Sequence, residues 1–163
     1  MKVFISGSIN LKKLPKCVLE KIDSIIRKDF CILIGDAKGV DSLVQKYLLK
    51  KGYKNVMVYY AGNAIRNNHG KWDTKQIINI NNEKGRELYT LKDIEMANDT
   101  DYGLMIWDGK SEGTLNNVKM MKTKSKKFFV IIEELIVDEK QIDSILAIKI
   151  SQNISSQTQM EMF

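Results

Sequence analysis

An α/β fold with a mainly parallel, five-stranded sheet is the architecture the sequence predicts, and two observations carry it. Short apolar runs rich in Val, Ile and Phe alternate with longer stretches of helical period, the order that joins parallel strands through crossover helices. The chain has 163 residues, 44% of them hydrophobic, and a single proline, which suits one core of ordinary size. The first strand falls at Val3–Ile5 and is followed by a helix over Leu14–Lys28, whose Val18, Leu19, Ile22, Ile25 and Ile26 recur every three or four residues and so share one buried face. A second strand at Cys31–Ile34 leads to a helix over Val40–Lys51 with Val40, Leu43, Val44, Tyr47 and Leu48 in phase, and Gly52 marks its stop. A third strand follows at Val56–Tyr60.

The pattern then fails from 61 to 86, an asparagine-rich stretch with three glycines that reads as a long loop insertion. A helix over Leu91–Asn98, a strand at Tyr102–Trp107, a helix over Thr114–Thr123 and a strand at Phe128–Ile132 complete the alternation. The domain boundary falls after residue 135: residues 136–163 form a C-terminal helix, capped by Asp138 and bearing Ile142, Ile145, Leu146 and Ile148, and then a polar tail.

Composition excludes several classes. No run approaches the eighteen apolar residues of a membrane span and no signal peptide is evident, so a cytoplasmic protein with no membrane partner is expected. Cys17 and Cys31 are too few for a disulfide framework and read as buried small hydrophobes, and the single histidine, His69, leaves no metal-ligand cluster. Neither a metal nor another cofactor is expected. The net charge is +6, carried almost wholly by lysines on helical faces. With only Arg27, Arg66 and Arg86 as arginines, nucleic acid is not expected among the partners, and a small anionic ligand fits the charge at least as well.

In an open parallel sheet the ligand crevice lies outside the carboxyl ends of the strands. Three strand-end loops are rich in glycine and small polar residues. They are Ser6-Gly7-Ser8, then Gly35-Asp36-Ala37-Lys38-Gly39-Val40-Asp41, and Asp108-Gly109-Lys110-Ser111-Glu112-Gly113-Thr114. Each precedes a helix whose free N–H groups and partial positive charge suit a phosphate. Lys110, beside Ser111, Gly113 and Thr114, adds a cation. Asp36 also suits an Asx-turn and Asp41 the first turn of a helix. In the 61–86 stretch Trp72 and His69 are candidates to stack on a base, while Trp107 reads as core.

The segments KVFISGS, ILIGDAKGVDSLV and KDIEMANDTDYGLMIWDGKSEGTLNNV resemble the SLOG superfamily, which includes the lonely-guy phosphoribohydrolases and the DprA-like proteins. The resemblance implies a three-layer Rossmann-like fold that binds a nucleotide or nucleotide derivative through Gly7, Ser8, Gly35, Asp36, Lys38, Gly39, Asp41, Lys92, Asp108, Gly109, Lys110, Ser111, Gly113, Thr114 and Asn117, and a homo-oligomer. The hydrolase branch places a glutamate where this chain has Asn117, and an arginine is missing ahead of Met96, where Lys92 and Asp93 stand. An amide has no ionisable carboxylate for acid, base or nucleophile work. A sensor or sequestering protein for a nucleotide-like small molecule is therefore the first expectation. The alternatives are an N-glycosidase using Asp93, Glu95, Asp108 or Glu112 instead, and a DprA-like nucleic-acid-binding module.

Overall fold

The computed structural model describes residues 1–148 and Ser151. The chain runs β1 (Lys2–Gly7), α1 (Lys16–Arg27), β2 (Cys31–Gly35), α2 (Val40–Lys50), β3 (Val56–Ala61), β4 (Asp73–Ile77), α3 (Gly85–Asp99), β5 (Tyr102–Trp107), α4 (Glu112–Thr123), β6 (Lys127–Ile132) and β7 (Leu135–Asp138). All strands join one sheet in the order β4-β3-β2-β1-β5-β6-β7, parallel throughout except for β7, which pairs antiparallel with β6. Among the described residues no helix is long and apolar enough to cross a membrane.

The central strands are buried in unbroken runs, four residues in each of β1 and β2 and five in β5, as a sheet covered on both faces requires. On one face Val3, Ile5, Ile32, Ile34, Leu104 and Ile106 pack with Val18, Ile22 and Ile25 of α1 and Val40, Val44 and Leu48 of α2. On the other, Phe4, Leu33, Met105 and Trp107 pack with Met96 and Ala97 of α3 and Val118 and Met121 of α4. Alternation along each strand thus feeds two cores.

The first four strands step away from β1 on one side and the last three on the other. The strand order therefore reverses between β1 and β5, the switch point at which α/β sheets open a crevice. Gly7 pairs with Ile106 near the end of β5, and Gly35 closes β2 opposite Tyr59, so parallel pairing brings the glycine loops to one end of the sheet.

The α/β class and the parallel sheet are as expected, and the sheet is wider by two strands. β4 lies within the 61–86 stretch read as a loop. It is an edge strand of sequence DTKQI with Asp73, Thr74 and Gln76 exposed, so it lacks the one-sided apolar alternation that marks a strand. β7, also at an edge, exposes Leu135 and Ile136 and buries Val137. Trp72 is buried in the core, and its Nε1 donates to the Tyr53 carbonyl at 2.8 Å. It offers no platform for a base, since closing the β3-to-β4 crossover requires an apolar anchor. α3 starts six residues before the expected Leu91, because its first two turns bury little and carry no apolar period. Asp138 accepts from the Lys140 and Gln141 amides at 3.0 Å ahead of a helical segment over 142–148, where Ile142 is buried. The polar tail lies outside the described residues.

Candidate functional site

A cleft of about 530 Å³ opens at the switch point. Its walls are Ser6 and Gly7 at the end of β1, Ala37, Lys38 and Asp41 at the start of α2, and Ser111, Gly113, Thr114, Asn116 and Asn117 at the start of α4. Arg86, Tyr89, Thr90, Lys92 and Asp93 of α3, with Arg66 and Asn67 from the crossover, close the remaining side. A second depression of about 470 Å³ lies between the start of α1 and Glu133–Glu134. There the Lys16 and Cys17 amides at the α1 N-terminus already face the Glu134 carboxylate at 3.3 and 3.4 Å, so that helix end is occupied by the protein itself.

The β2–α2 loop is shaped by Gly39, whose φ of +73° is open to few L side chains, and where a Cβ would stand 2.5 Å from the Ile9 backbone. Asp36, fully buried, pairs with Arg66: Oδ2 accepts from the Arg66 Nε at 3.1 Å and from its amide at 3.0 Å, and Oδ1 pairs with Nη2. Burial opposes the Arg66 charge, but the Asp36 contacts outweigh it and raise its pKa. The guanidinium lies over the Tyr89 ring, 4.0 Å from the centroid, a stacked cation and aromatic at the cleft wall.

Five polar side chains meet at the floor. Lys92, only 5% exposed, donates from Nζ to Asp93 Oδ1 at 2.7 Å. Asp93 Oδ2 accepts from Asn117 Nδ2 at 3.2 Å, and that amide nitrogen also lies 2.9 Å from Ser6 Oγ. Asp41 Oδ2 accepts from the Ala37 amide at 3.1 Å. Gly35 makes room for this group, since a Cβ there would lie 2.4 Å from Asp41 Oδ2 and 2.7 Å from Lys92 Nζ.

Desolvation pushes the Asp41 carboxyl up from 3.8 to about 6; Lys92 pulls it down and Asp93 pushes it up. A carboxyl that holds its proton more tightly folded than unfolded favours the folded state at low pH and loses that advantage as pH rises through the interval between the two values. Asp41→Asn keeps an acceptor for Ala37 and removes the titration. Urea denaturation from pH 4 to 7 is expected to show the variant gaining about 2–3 kcal/mol on the wild type across that interval. A constant difference would reject the assignment.

At the α4 loop, Ser8 is buried and its Oγ accepts from the Asp108 amide at 3.0 Å, with Thr114 Oγ1 at 3.4 Å. Asp108 Oδ1 takes the Lys110 and Ser111 amides at 2.9 and 2.7 Å. Desolvation raises its pKa, but these backbone bonds outweigh that and hold it below the usual carboxylate range. No side-chain hydrogen bond caps α4, nor α2; the Val40 amide of α2 donates to the Ser8 carbonyl at 3.3 Å, and the first-turn amides of α4 and the next ones of α2 remain for a ligand.

Of the residues singled out from sequence, Gly7, Lys38, Asp41, Lys92, Asp93, Ser111, Gly113, Thr114 and Asn117 line the cleft. Ser8, Gly35, Asp36, Gly39 and Asp108 stand just behind it and hold its loops. Gly109 and Lys110 sit in the β5–α4 turn outside the lining. Glu95 lies away from it, paired with Lys75 at 2.9 Å, and Glu112 stands at the mouth, 2.7 Å from Arg86. His69 Nε2 meets Ser42 Oγ at 2.8 Å. Sequence reasoning missed Arg66, Arg86 and Tyr89; only the fold shows that two of the three arginines in a lysine-rich chain line this one cleft.

Fold and cleft together define a Rossmann-like α/β protein with an open strand-end site. No protein-family model and no curated protein matches the chain. A solved structure of DNA processing protein A (DprA) from Helicobacter pylori, described for its single-stranded DNA binding mode, matches with a TM-score of 0.66 at 14% identity, covering 98% of this chain and 80% of that one. At that identity the likeness establishes the fold. It also corrects the expectation that excluded nucleic acid, because a protein described as binding single-stranded DNA shares this architecture over nearly the whole chain. That exclusion averaged arginine over the sequence, whereas the fold concentrates it at the cleft.

Proposed function

We propose that the chain is a DprA-like module of the SLOG type that binds single-stranded nucleic acid, seating one nucleotide unit in the strand-end cleft. The observation that carries this is an uncapped α4 N-terminus together with exposed Lys38 and Arg86 in the lining of one cleft of nucleotide size. The α4 amides and the two cations supply donors to a phosphate, and the Arg66–Tyr89 stack supplies a flat wall against which a base can lie. The Helicobacter pylori protein's described binding of single-stranded DNA supports the same reading.

Anisotropy of a labelled single-stranded oligonucleotide is the test. Lys38→Ala and Arg86→Ala are each expected to weaken binding by about 1–3 kcal/mol and to flatten its salt dependence. Glu112 holds Arg86 in an exposed pair of the kind that contributes little to stability. Glu112→Gln is therefore expected to tighten binding by releasing the arginine and removing a negative charge near the phosphate. Equal affinity in all three variants would sink the assignment. A second reading, capture of a free nucleotide, is favoured by the burial of Asp41 and Lys92 at the polar floor. It predicts that a mononucleotide competes with the oligonucleotide at comparable concentration.

A further inference from the structure

We propose that the floor of the cleft recognises a sugar hydroxyl adjacent to the bound phosphate, with Asp93 as the acceptor. The inference rests on the reading above that the cleft seats a nucleotide, and concerns which part of it faces inward. Rim and floor differ in sign. The cations Lys38 and Arg86 are exposed parts of the lining, with the α4 N-terminus in the same cleft, whereas Asp41 and Asp93 share the buried ammonium of Lys92 at the floor. A phosphate is repelled there, and a hydrogen-bond donor is what the floor accommodates.

The carboxylates have capacity to spare. Each oxygen of Asp93 meets one protein donor, Lys92 or Asn117, while an ionised carboxylate accepts about four hydrogen bonds. The Asp93 side chain keeps 18% of its surface in the open, and it lines the cleft. Asp41 is 5% exposed, lines the same cleft, and uses only Oδ2, for the Ala37 amide, among the described residues. Two carboxylates, one of them almost fully buried, thus retain lone pairs in a cavity that no protein donor fills.

Spacing selects the sugar. Thr114 and Asn117 are three residues apart on α4 and lie on one face, so the step from the phosphate end to the floor is about one helical turn, roughly 5 Å. Within a nucleotide that step leads from phosphate to the sugar bonded to it. The base lies farther out, toward Tyr89. In a strand whose 5′ end is phosphorylated the hydroxyl is either the 2′-OH of RNA or the free 3′-OH of a chain end.

Binding of 5′-phosphorylated oligouridylate, oligodeoxyuridylate and oligodeoxyuridylate ending in a 3′-deoxy sugar separates the two sources. Wild type is expected to favour a hydroxyl-bearing ligand over its partner lacking that hydroxyl by about tenfold or more: the first over the second for a 2′-OH, the second over the third for a chain end. Asp93→Asn, which turns an N–H₂ toward the cleft once its oxygen faces Lys92, is expected to bring that pair within about twofold. Wild-type affinities within twofold in both pairs overturn the inference, and need no variant to fold. Discrimination that persists in Asp93→Asn overturns it too, since the hydroxyl is then read elsewhere. In both cases, continued loss of affinity in Lys38→Ala and Arg86→Ala shows that the cleft reading stands; wild-type affinity in those two variants overturns both.

Discussion

Lys92→Met is expected to destabilise the protein by about 3–5 kcal/mol at neutral pH. Methionine fills nearly the same volume, so the loss reflects charge and not an empty cavity. Lys92 is 5% exposed and is the ammonium between Asp93, bonded at 2.7 Å, and Asp41. Burial works against its charge, but the two carboxylates outweigh this and raise its pKa. Without it two carboxylates remain in a poorly solvated floor whose other nearby cation, Arg66, is already paired with Asp36, and the chain must keep both charged, take up a proton or unfold. The penalty should therefore shrink as pH falls, because protonation relieves the repulsion. Urea denaturation at pH 7 and pH 4.5 measures both, and a loss below 1 kcal/mol at pH 7 would show that Lys92 is not what holds the carboxylates together.

Gly39→Ala is the second large effect, with an expected loss of about 2–4 kcal/mol. Two causes act at the same atom. At φ +73° and ψ −129° the backbone is in a region L residues seldom enter, and the new Cβ would stand 2.5 Å from the main chain of Ile9. The neighbour is backbone and cannot rotate away, so either the β2–α2 loop or the segment after β1 must shift. Both line the cleft, and the variant should lose oligonucleotide affinity along with stability. Gly52→Ala is the control: its φ is also positive, +67°, but nothing lies within 4 Å of the added atom. It should pay only the conformational cost, which thermal denaturation of the two variants separates.

What the sequence makes legible follows from where each signal originates. Strands buried on both faces, such as Val3–Ile5 and Tyr102–Trp107, stand out as apolar runs, and α1 and α2 stand out by period, because their burial is periodic. β4 and the first turns of α3 are hidden because they pack little: DTKQI is an edge strand, and the start of α3 forms a wall of the cleft in place of core. The same division runs through the site. Glycine loops after β1, β2 and β5 are readable because parallel topology forces them together. Arg66 reaches the cleft through the crossover ahead of β4, and Tyr89 and Arg86 through a helical segment with no apolar stripe. No local pattern marks them. Asp36 stands out in its glycine-rich loop, but its partner, thirty residues on, is visible only in the fold.

The central claim is that nucleic acid occupies the strand-end cleft, and hydrogen exchange read by mass spectrometry, with and without a saturating single-stranded oligonucleotide, tests it most directly. The account predicts slowed exchange in peptides covering 37–43 and 111–117, where the uncapped first turns of α2 and α4 meet the cleft, with peptides from α1 unchanged. Binding accompanied by protection along α1 or the β6–β7 edge, with the two helix starts exchanging as in the free protein, would contradict it.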